Sequence, residues 1–180
     1  MAKRPRIGIP TASPAITDTL EFTKNKCSES ARKVISHFEN IEVELWFDKH
    51  YYVRAQHGDD YGKREGIDIE VVKDLVRSSI KHLYYYSLRI DGFAFINFSD
   101  QAKRFFRVLL KENYSGDKTL NVVVEFHFVD FRKYEVTIKT AMREDDFKVS
   151  DGQYIIELID KDTSNLSRKN VNGIQKIFNM

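Results

Sequence analysis

The chain has 180 residues, 42% of them hydrophobic and 31% charged, a composition typical of one globular domain spanning residues 1–180. The formal net charge of +2 does not by itself indicate a nucleic-acid partner, so a phosphate-binding site would need a local basic cluster. A single cysteine, Cys27, excludes an internal disulfide and a cysteine-based zinc site. No stretch approaches the roughly 18 apolar residues of a membrane-spanning helix, so we expect a cytoplasmic protein without a membrane partner.

The N-terminal part predicts an irregular segment followed by a helix and a strand. Residues 1–14 contain all three prolines and show no periodicity. A helix is predicted over 29–38, because its apolar residues fall on one helical face. The alternation of apolar and polar residues over 41–47 predicts a half-buried strand.

Two further helices are predicted before the chain becomes rich in strand-forming residues. The first covers 49–57 and is followed by a polar, glycine-containing loop over 58–66. Asp68 is a suitable N-cap for the second, which we expect over 69–81 because its apolar residues have helical spacing. Residues 84–98 allow two interpretations, a hairpin turning at Asp91-Gly92 or a continuation of the helix.

The second half predicts an antiparallel meander. Strands are expected over 107–113, 121–129, 134–142 and 153–159, with short turns between them. The segment from 160 to 180 is predicted to be a polar tail with one weak helix over 171–178. The predicted fold class is therefore α+β, with N-terminal helices packed on an antiparallel sheet of about four strands.

The alternating pattern gives two of these strands an apolar face and a polar face. The polar side is predicted to carry Glu125, His127, Glu135, Thr137 and Lys139, with Thr140 on the apolar side. One interpretation is an ordinary solvent-facing sheet surface. The other is a substrate-binding surface, on which Lys139, Arg143 and Tyr134 would contact phosphate and bases.

The clearest chemical signal lies between His50 and His82. His50 and Arg54 are four residues apart and share a helical face, His57 falls near the same face, and Arg64 follows in the loop. Imidazoles and guanidiniums in one unit suit metal-independent RNA cleavage, in which histidines transfer protons and arginines stabilise the phosphate charge. The alternative interpretation is a solvated helix face beside a charged loop.

The same region resembles a family of small endoribonucleases. His50-x-x-x-Arg54-Ala55, a loop, and then Arg64-Glu65-Gly66-Ile67-Asp68 opening a helix are similar to the motifs of the RelE-like toxins and the phage endoribonuclease RegB. The resemblance covers about 41–143. It implies metal-independent cleavage of messenger RNA that leaves a 2′,3′-cyclic phosphate, with His82 near a second histidine position and Lys139 and Thr140 on a late strand lining the site.

The leading hypothesis is therefore an endoribonuclease of phage or toxin type that needs no cofactor and no metal. The predicted catalytic residues are His50, Arg54, Arg64 and His82. The predicted substrate-binding residues are His127, Lys139, Thr140 and Arg143. RNA is the expected partner, with a host or antitoxin protein as a second one. The alternative function is a non-catalytic phage or host-interaction binding protein on the same scaffold.

Overall fold

The structure is a computed structural model. It describes the backbone of residues 32–38 and all atoms of residues 41–47, 51, 67–98, 105–113 and 118–180. In this part of the chain, nine strands form one sheet. They are β1 (Arg32–Phe38), β2 (Ile41–Phe47), β3 (Ile96–Asn97), β4 (Val108–Glu112), β5 (Leu120–Asp130), β6 (Lys133–Arg143), β7 (Tyr154–Leu158), β8 (Ser164–Asn170) and β9 (Gly173–Asn179). The helix described over its whole length is α1 (Ile69–Arg89).

The sheet is mixed. Eight strands follow the order β1-β2-β6-β5-β4-β7-β8-β9, and β3 pairs with β5 outside this series. Sequence neighbours that pair are antiparallel, whereas β2–β6, β3–β5 and β4–β7 are parallel pairs. The parallel pairs join segments that are distant in sequence, which extends the central hairpin β5–β6 into a broad sheet.

Helix α1 covers one face of this sheet. Asp68 caps its N-terminus, since its carboxylate accepts a 2.7 Å hydrogen bond from the backbone N–H of Glu70, and this confirms the predicted helix start. The apolar stripe of α1 packs against alternating residues of the strands to form the core. The helix continues to Arg89, beyond the predicted end at Lys81, so the helical alternative for the start of 84–98 is correct. No helix among the described residues is long and apolar enough to cross a membrane.

The predicted fold class, helices packed on a four-stranded antiparallel sheet, is wrong. The segment predicted as a helix over 29–38 forms β1 from Arg32 onward and pairs antiparallel with β2. The spacing of its apolar residues fits a helical face, but β2 provides partners for backbone hydrogen bonds, which local spacing does not reveal. The segment predicted as a polar tail over 160–180 forms β8 and β9, which pair antiparallel. The weak helix predicted over 171–178 is therefore wrong, because this segment is a strand from Gly173 onward.

The other predicted strands are confirmed, although one of them pairs differently from a meander. Strands β4, β5 and β6 are successive antiparallel neighbours as predicted. Strand β7 does not lie beside β6 in the sheet. It pairs parallel with β4, on the side of β4 away from β5. The predicted helix over 49–57 lies outside the described residues except Tyr51, which is helical. The Tyr51 ring lies 4.9 Å from that of Phe47, at the end of β2.

Candidate functional site

Charged and polar side chains occupy the sheet face opposite α1. Glu44 of β2 pairs with Glu135 of β6, and Glu135 pairs in turn with His127 of β5. Paired residues point to the same side of a sheet, so these three lie in one row across the strands. In the next row, Thr137 of β6 pairs with Glu125 of β5. The predicted grouping of polar residues on one face is therefore confirmed for β5 and for the first part of β6.

This face is not an ordinary solvent-facing surface. Glu125 and His127 are only 2% and 4% exposed, and Glu135 is fully buried. The ring of Phe105 lies 5.2 Å from that of His127, in an edge-to-face arrangement. Further along the same face, Phe147 and Val149 pack on a small apolar cluster of Leu109, Val123 and Ile155. Burying a charge is costly unless the charge is paired, so the partners of these side chains decide the electrostatics of this face.

Glu125 is the centre of a group of charged side chains that we call the Glu125 cluster: Arg107, Glu125, His127 and Lys139. Arg107 Nε donates a 2.7 Å hydrogen bond to Glu125 Oε1. The other oxygen, Oε2, lies 3.7 Å from His127 Nε2 and 3.8 Å from Lys139 Nζ. These two distances exceed a hydrogen bond, so the contacts are electrostatic. Three groups able to carry positive charge thus surround one carboxylate.

These neighbours keep Glu125 ionised. Burial alone would raise the pKa of its carboxyl, but the interactions with His127, Arg107 and Lys139 outweigh burial and lower the pKa below its ordinary value. At neutral pH Glu125 is therefore a carboxylate that can accept a proton or a hydrogen bond. The side chains of Arg107 and Lys139 are 54% and 35% exposed, so they are the members of the cluster that reach solvent.

A β-bulge places Lys139 in the cluster and changes the direction of the residues after it. Val123 pairs with Thr140 and Val124 with Ile138, so Lys139 is the additional residue in β6. Thr140 is therefore paired with a residue of the polar side, and the prediction that it shares the apolar side is wrong. Beyond the bulge, Ala141 packs against the core on the α1 side. Alternation counted from the sequence cannot anticipate this shift.

A second ion pair lies on the same face at the start of β6. Lys133 Nζ lies 2.9 Å from Glu44 Oε1 and 3.5 Å from Glu42 Oε1. The Glu44 side chain is 1% exposed, whereas that of Lys133 is 26% exposed. Lysine and arginine thus compensate the buried carboxylates of Glu44 and Glu125. Among the described residues, no group of three or more His, Cys, Asp and Glu side chains is arranged to hold a metal ion.

His82, a predicted catalytic residue, belongs to the core instead. It is fully buried, with Nδ1 2.9 Å from Ser164 Oγ and 3.3 Å from Met180 Sδ. Burial is the main cause that lowers its pKa, and the charge of Lys81 adds to it, while Asp162 acts in the opposite direction. These contacts attach α1 to the C-terminal strands. The structure places His82 away from the Glu125 cluster, in the core between α1 and β8, and its role in proton transfer stays a prediction.

The remaining predicted site residues divide by their position. His127 and Lys139 belong to the Glu125 cluster. Arg143 pairs with Leu120, a core residue, so it lies on the α1 side of the sheet and not with Lys139, which corrects its predicted place. Residues 50, 54 and 64, which are the predicted catalytic His50, Arg54 and Arg64, lie outside the described residues.

Arg107 is a member of the site that the sequence did not indicate. It precedes β4, and the pairing of Val108 with Val124 brings it beside Glu125. The only signal was a basic residue directly before an apolar strand, which is common in strands of any function. Glu125 itself was recognised as part of a polar face, but its role as the centre of the cluster depends on the neighbouring strands.

Comparisons with protein-family models, with curated proteins and with solved structures find no match to this chain. The site itself is therefore the guide to function. Its defining feature is a buried carboxylate in contact with an imidazole, an ammonium and a guanidinium, two of which reach solvent.

Proposed function

We propose that the protein is a metal-independent endoribonuclease acting on RNA in the cytoplasm. The observation that carries the proposal is the Glu125 cluster, in which two accessible cations adjoin a carboxylate and an imidazole. These are the groups needed for attack of a ribose 2′-hydroxyl on the adjacent phosphate. The roles of His50, Arg54 and Arg64 in the same reaction stay predictions from the motif.

The chemistry divides among the four side chains. Arg107 and Lys139 hold the scissile phosphate and stabilise the negative charge that develops on it. The Glu125 carboxylate, ionised at neutral pH, takes the proton from the 2′-hydroxyl as the new phosphorus–oxygen bond forms. His127, when protonated, gives a proton to the leaving 5′-oxygen. The products are a 2′,3′-cyclic phosphate and a free 5′-hydroxyl.

Access to the carboxylate and the imidazole limits this reaction. Glu125 and His127 are nearly buried, so an RNA strand meets the exposed head groups of Arg107 and Lys139 first. A substrate that engages these cations displaces their contacts with Glu125 and leaves the carboxylate as the nearest base. On this proposal, substrate binding therefore replaces the ion pairs within the Glu125 cluster with contacts between its cations and the RNA phosphate.

The proposal is tested by incubating the purified protein with a defined messenger RNA in the presence and absence of EDTA. We expect fragments in both samples, with 2′,3′-cyclic phosphate ends. Lys139→Ala should lower the cleavage rate by about 10²-fold or more, the order of a lost charge-stabilising group. Lys176→Ala, an exposed lysine on β9, is the matched control and should cleave as the wild type does. Intact RNA in both samples, or loss of cleavage with EDTA, would reject the proposal.

A second candidate function, non-catalytic binding of a host or antitoxin protein, is favoured by an aromatic patch near the β5–β6 turn. Phe98 and Phe131 are 74% and 77% exposed, and the Phe98 ring lies 5.5 Å from that of the partly exposed Phe128. The guanidinium of Arg132 lies 4.9 Å from the centre of the Phe131 ring. Aromatic residues and arginine are enriched in protein interfaces. This function would be favoured over cleavage if one protein co-purifies stably with the wild type but not with Phe131→Ser, and if RNA stays intact.

A further inference from the structure

Three polar side chains extend the row of the Glu125 cluster across the next strands of the sheet. Arg107 directly precedes β4, Gln153 directly precedes β7, and Lys169 lies in β8. The parallel pairing of β4 with β7 sets Arg107 beside Gln153. The backbone N–H of Lys169 donates to the Gln153 carbonyl at 2.9 Å, so Lys169 is the neighbour of Gln153 on its other side. The row therefore continues from β5 over β4 and β7 to β8.

All three side chains point to the sheet face opposite α1. Arg107 and Gln153 each precede a core residue on the α1 side, and successive residues of a strand point to opposite faces. Lys169 follows Arg168, whose guanidinium carbon lies 4.9 Å from the centre of the Tyr154 ring on the α1 side. Lys169 therefore shares the other face with Arg107 and Gln153. Side chains of paired strands on one face lie about 5 Å apart at Cβ, so Gln153 and Lys169 can contact one ligand.

Gln153 carries a hydrogen-bond donor that is not satisfied. Its side chain is 8% exposed, and within the part of the chain that the structure describes Nε2 is buried without a hydrogen-bond partner. The other end of the amide is fixed, because Oε1 accepts a 3.2 Å hydrogen bond from the backbone N–H of Ser150. A buried donor without an acceptor is costly, and an acceptor oxygen of a ligand would remove this cost.

Cations lie on both sides of this donor. The Lys169 side chain is partly exposed, and its ammonium has no hydrogen-bond or ion-pair partner among the described residues. The Arg107 side chain is 54% exposed and uses Nε for Glu125, which leaves the N–H groups of its two terminal nitrogens for a ligand. Two cations beside an amide donor match an anion with several acceptor oxygens, which is the chemistry of a phosphate group.

A cavity gives a ligand access to this row. It has a volume of about 600 Å³ and opens at the N-terminal ends of β4 and β7. Arg107, Ser150 and Gln153 are among its lining residues. The carboxylate of Asp151 also lines it, but this residue is exposed, so solvent and salt screen its charge.

We infer that Gln153 and Lys169 bind a second phosphate of the RNA strand, next to the phosphate that Arg107 holds. The inference rests on the proposed function, since it takes RNA as the ligand. Inorganic phosphate offers the same oxygens, but the length of the row favours a strand. Lys139 of β6 and Lys169 of β8 are four strand spacings apart, roughly 19 Å, so one free ion cannot contact both. An RNA backbone that crosses the sheet reaches them in turn.

Fluorescence anisotropy of the full chain with a 2′-O-methyl RNA, which lacks the attacking hydroxyl and is not cleaved, tests the inference. Lys169→Gln should weaken binding and reduce the slope of log Kd against log salt by about 0.7, the value for one phosphate contact of a single strand. Gln153→Glu keeps the oxygen that accepts from Ser150 and replaces the donor with an acidic oxygen, so it should weaken binding by about tenfold or more. The matched control Lys73→Gln, at a lysine of α1 on the other face, should bind as the wild type does.

Unchanged affinity in Lys169→Gln, a variant of a partly exposed side chain, would overturn the inference even if Gln153→Glu failed to fold. Inorganic phosphate is titrated in parallel by calorimetry, and tighter binding of this ion than of the RNA would assign the row to a free anion and overturn the inference. Cleavage of unmodified RNA with wild-type affinity in both variants would reject the second phosphate site alone. RNA binding that depends on both residues, without cleavage, would support this site and reject the proposed activity.

Discussion

The substitution Glu125→Gln addresses the centre of the proposed site, and its effect on stability can be estimated from the contacts. Gln has nearly the same shape and can still accept a hydrogen bond from Arg107, but it removes the charge that faces His127 and Lys139. Because Arg107 and Lys139 are partly exposed, water can solvate them once the charge is gone. We therefore expect the free energy of unfolding to fall by about 1.5–3 kcal/mol, the range for a hydrogen bond to a charged group.

The effect on activity should be much larger than the effect on stability. A general base contributes about 10²–10⁴-fold to a rate, so Glu125→Gln should lower kcat/KM by that factor. The pH dependence has a defined sign. The lowered pKa of Glu125 stabilises the folded state above the pKa of the unfolded chain, and this contribution is lost as the pH falls through the folded-state pKa. In Glu125→Gln, the decrease in stability and in cleavage rate that comes from protonation of Glu125 at low pH should therefore be absent.

The assay combines two measurements on the same preparations. Cleavage of an end-labelled RNA in EDTA gives kcat/KM between pH 4 and 8, and urea unfolding gives the free energy of unfolding over the same range. Glu70→Gln is the matched control, because Glu70 is an exposed carboxylate on α1 paired with Lys73. A Glu125→Gln variant that is destabilised but cleaves RNA at the wild-type rate would show that the carboxylate is structural and would refute its assignment as the base.

Contacts between α1 and the C-terminal strands predict two effects on stability, and the His50 motif predicts one on activity. Tyr86→Phe removes a buried hydroxyl that donates to the Ser164 carbonyl at 2.9 Å and lies 2.7 Å from Ser164 Oγ. Urea unfolding should therefore show that the free energy of unfolding falls by about 1–3 kcal/mol. An equal fall in the neighbouring control Tyr85→Phe would contradict this prediction. Burial lowers the pKa of His82, so the unfolded chain takes up the proton first and stability should fall below about pH 6.5. This fall in stability should be smaller in His82→Gln. An identical dependence of stability on pH in the variant and the wild type would show that His82 is not its cause. His50→Ala should abolish RNA cleavage with little change in Tm, and retained cleavage would remove His50 from the mechanism.

Local sequence patterns determined several elements of this protein. The Asp68 cap and the apolar spacing after it specified where α1 begins, because capping and helix periodicity act within a few residues. Alternation specified strands β5 and β6 and the polar side of β5, because successive strand residues point to opposite faces. The same reasoning identified His127 and Lys139 as residues of one surface, which the structure confirms by placing both beside Glu125.

Only the tertiary structure decided how these elements combine. The residues of β1 have spacing that also suits a helix, and pairing with β2 makes them a strand. The bulge at Lys139 reversed the direction of Thr140, and His82 became a core residue once β8 and β9 packed beside α1. Arg107 meets Glu125 through the pairing of β4 with β5. Each of these outcomes depends on contacts between residues distant in sequence, and local periodicity carries no information about which distant partner a strand will find.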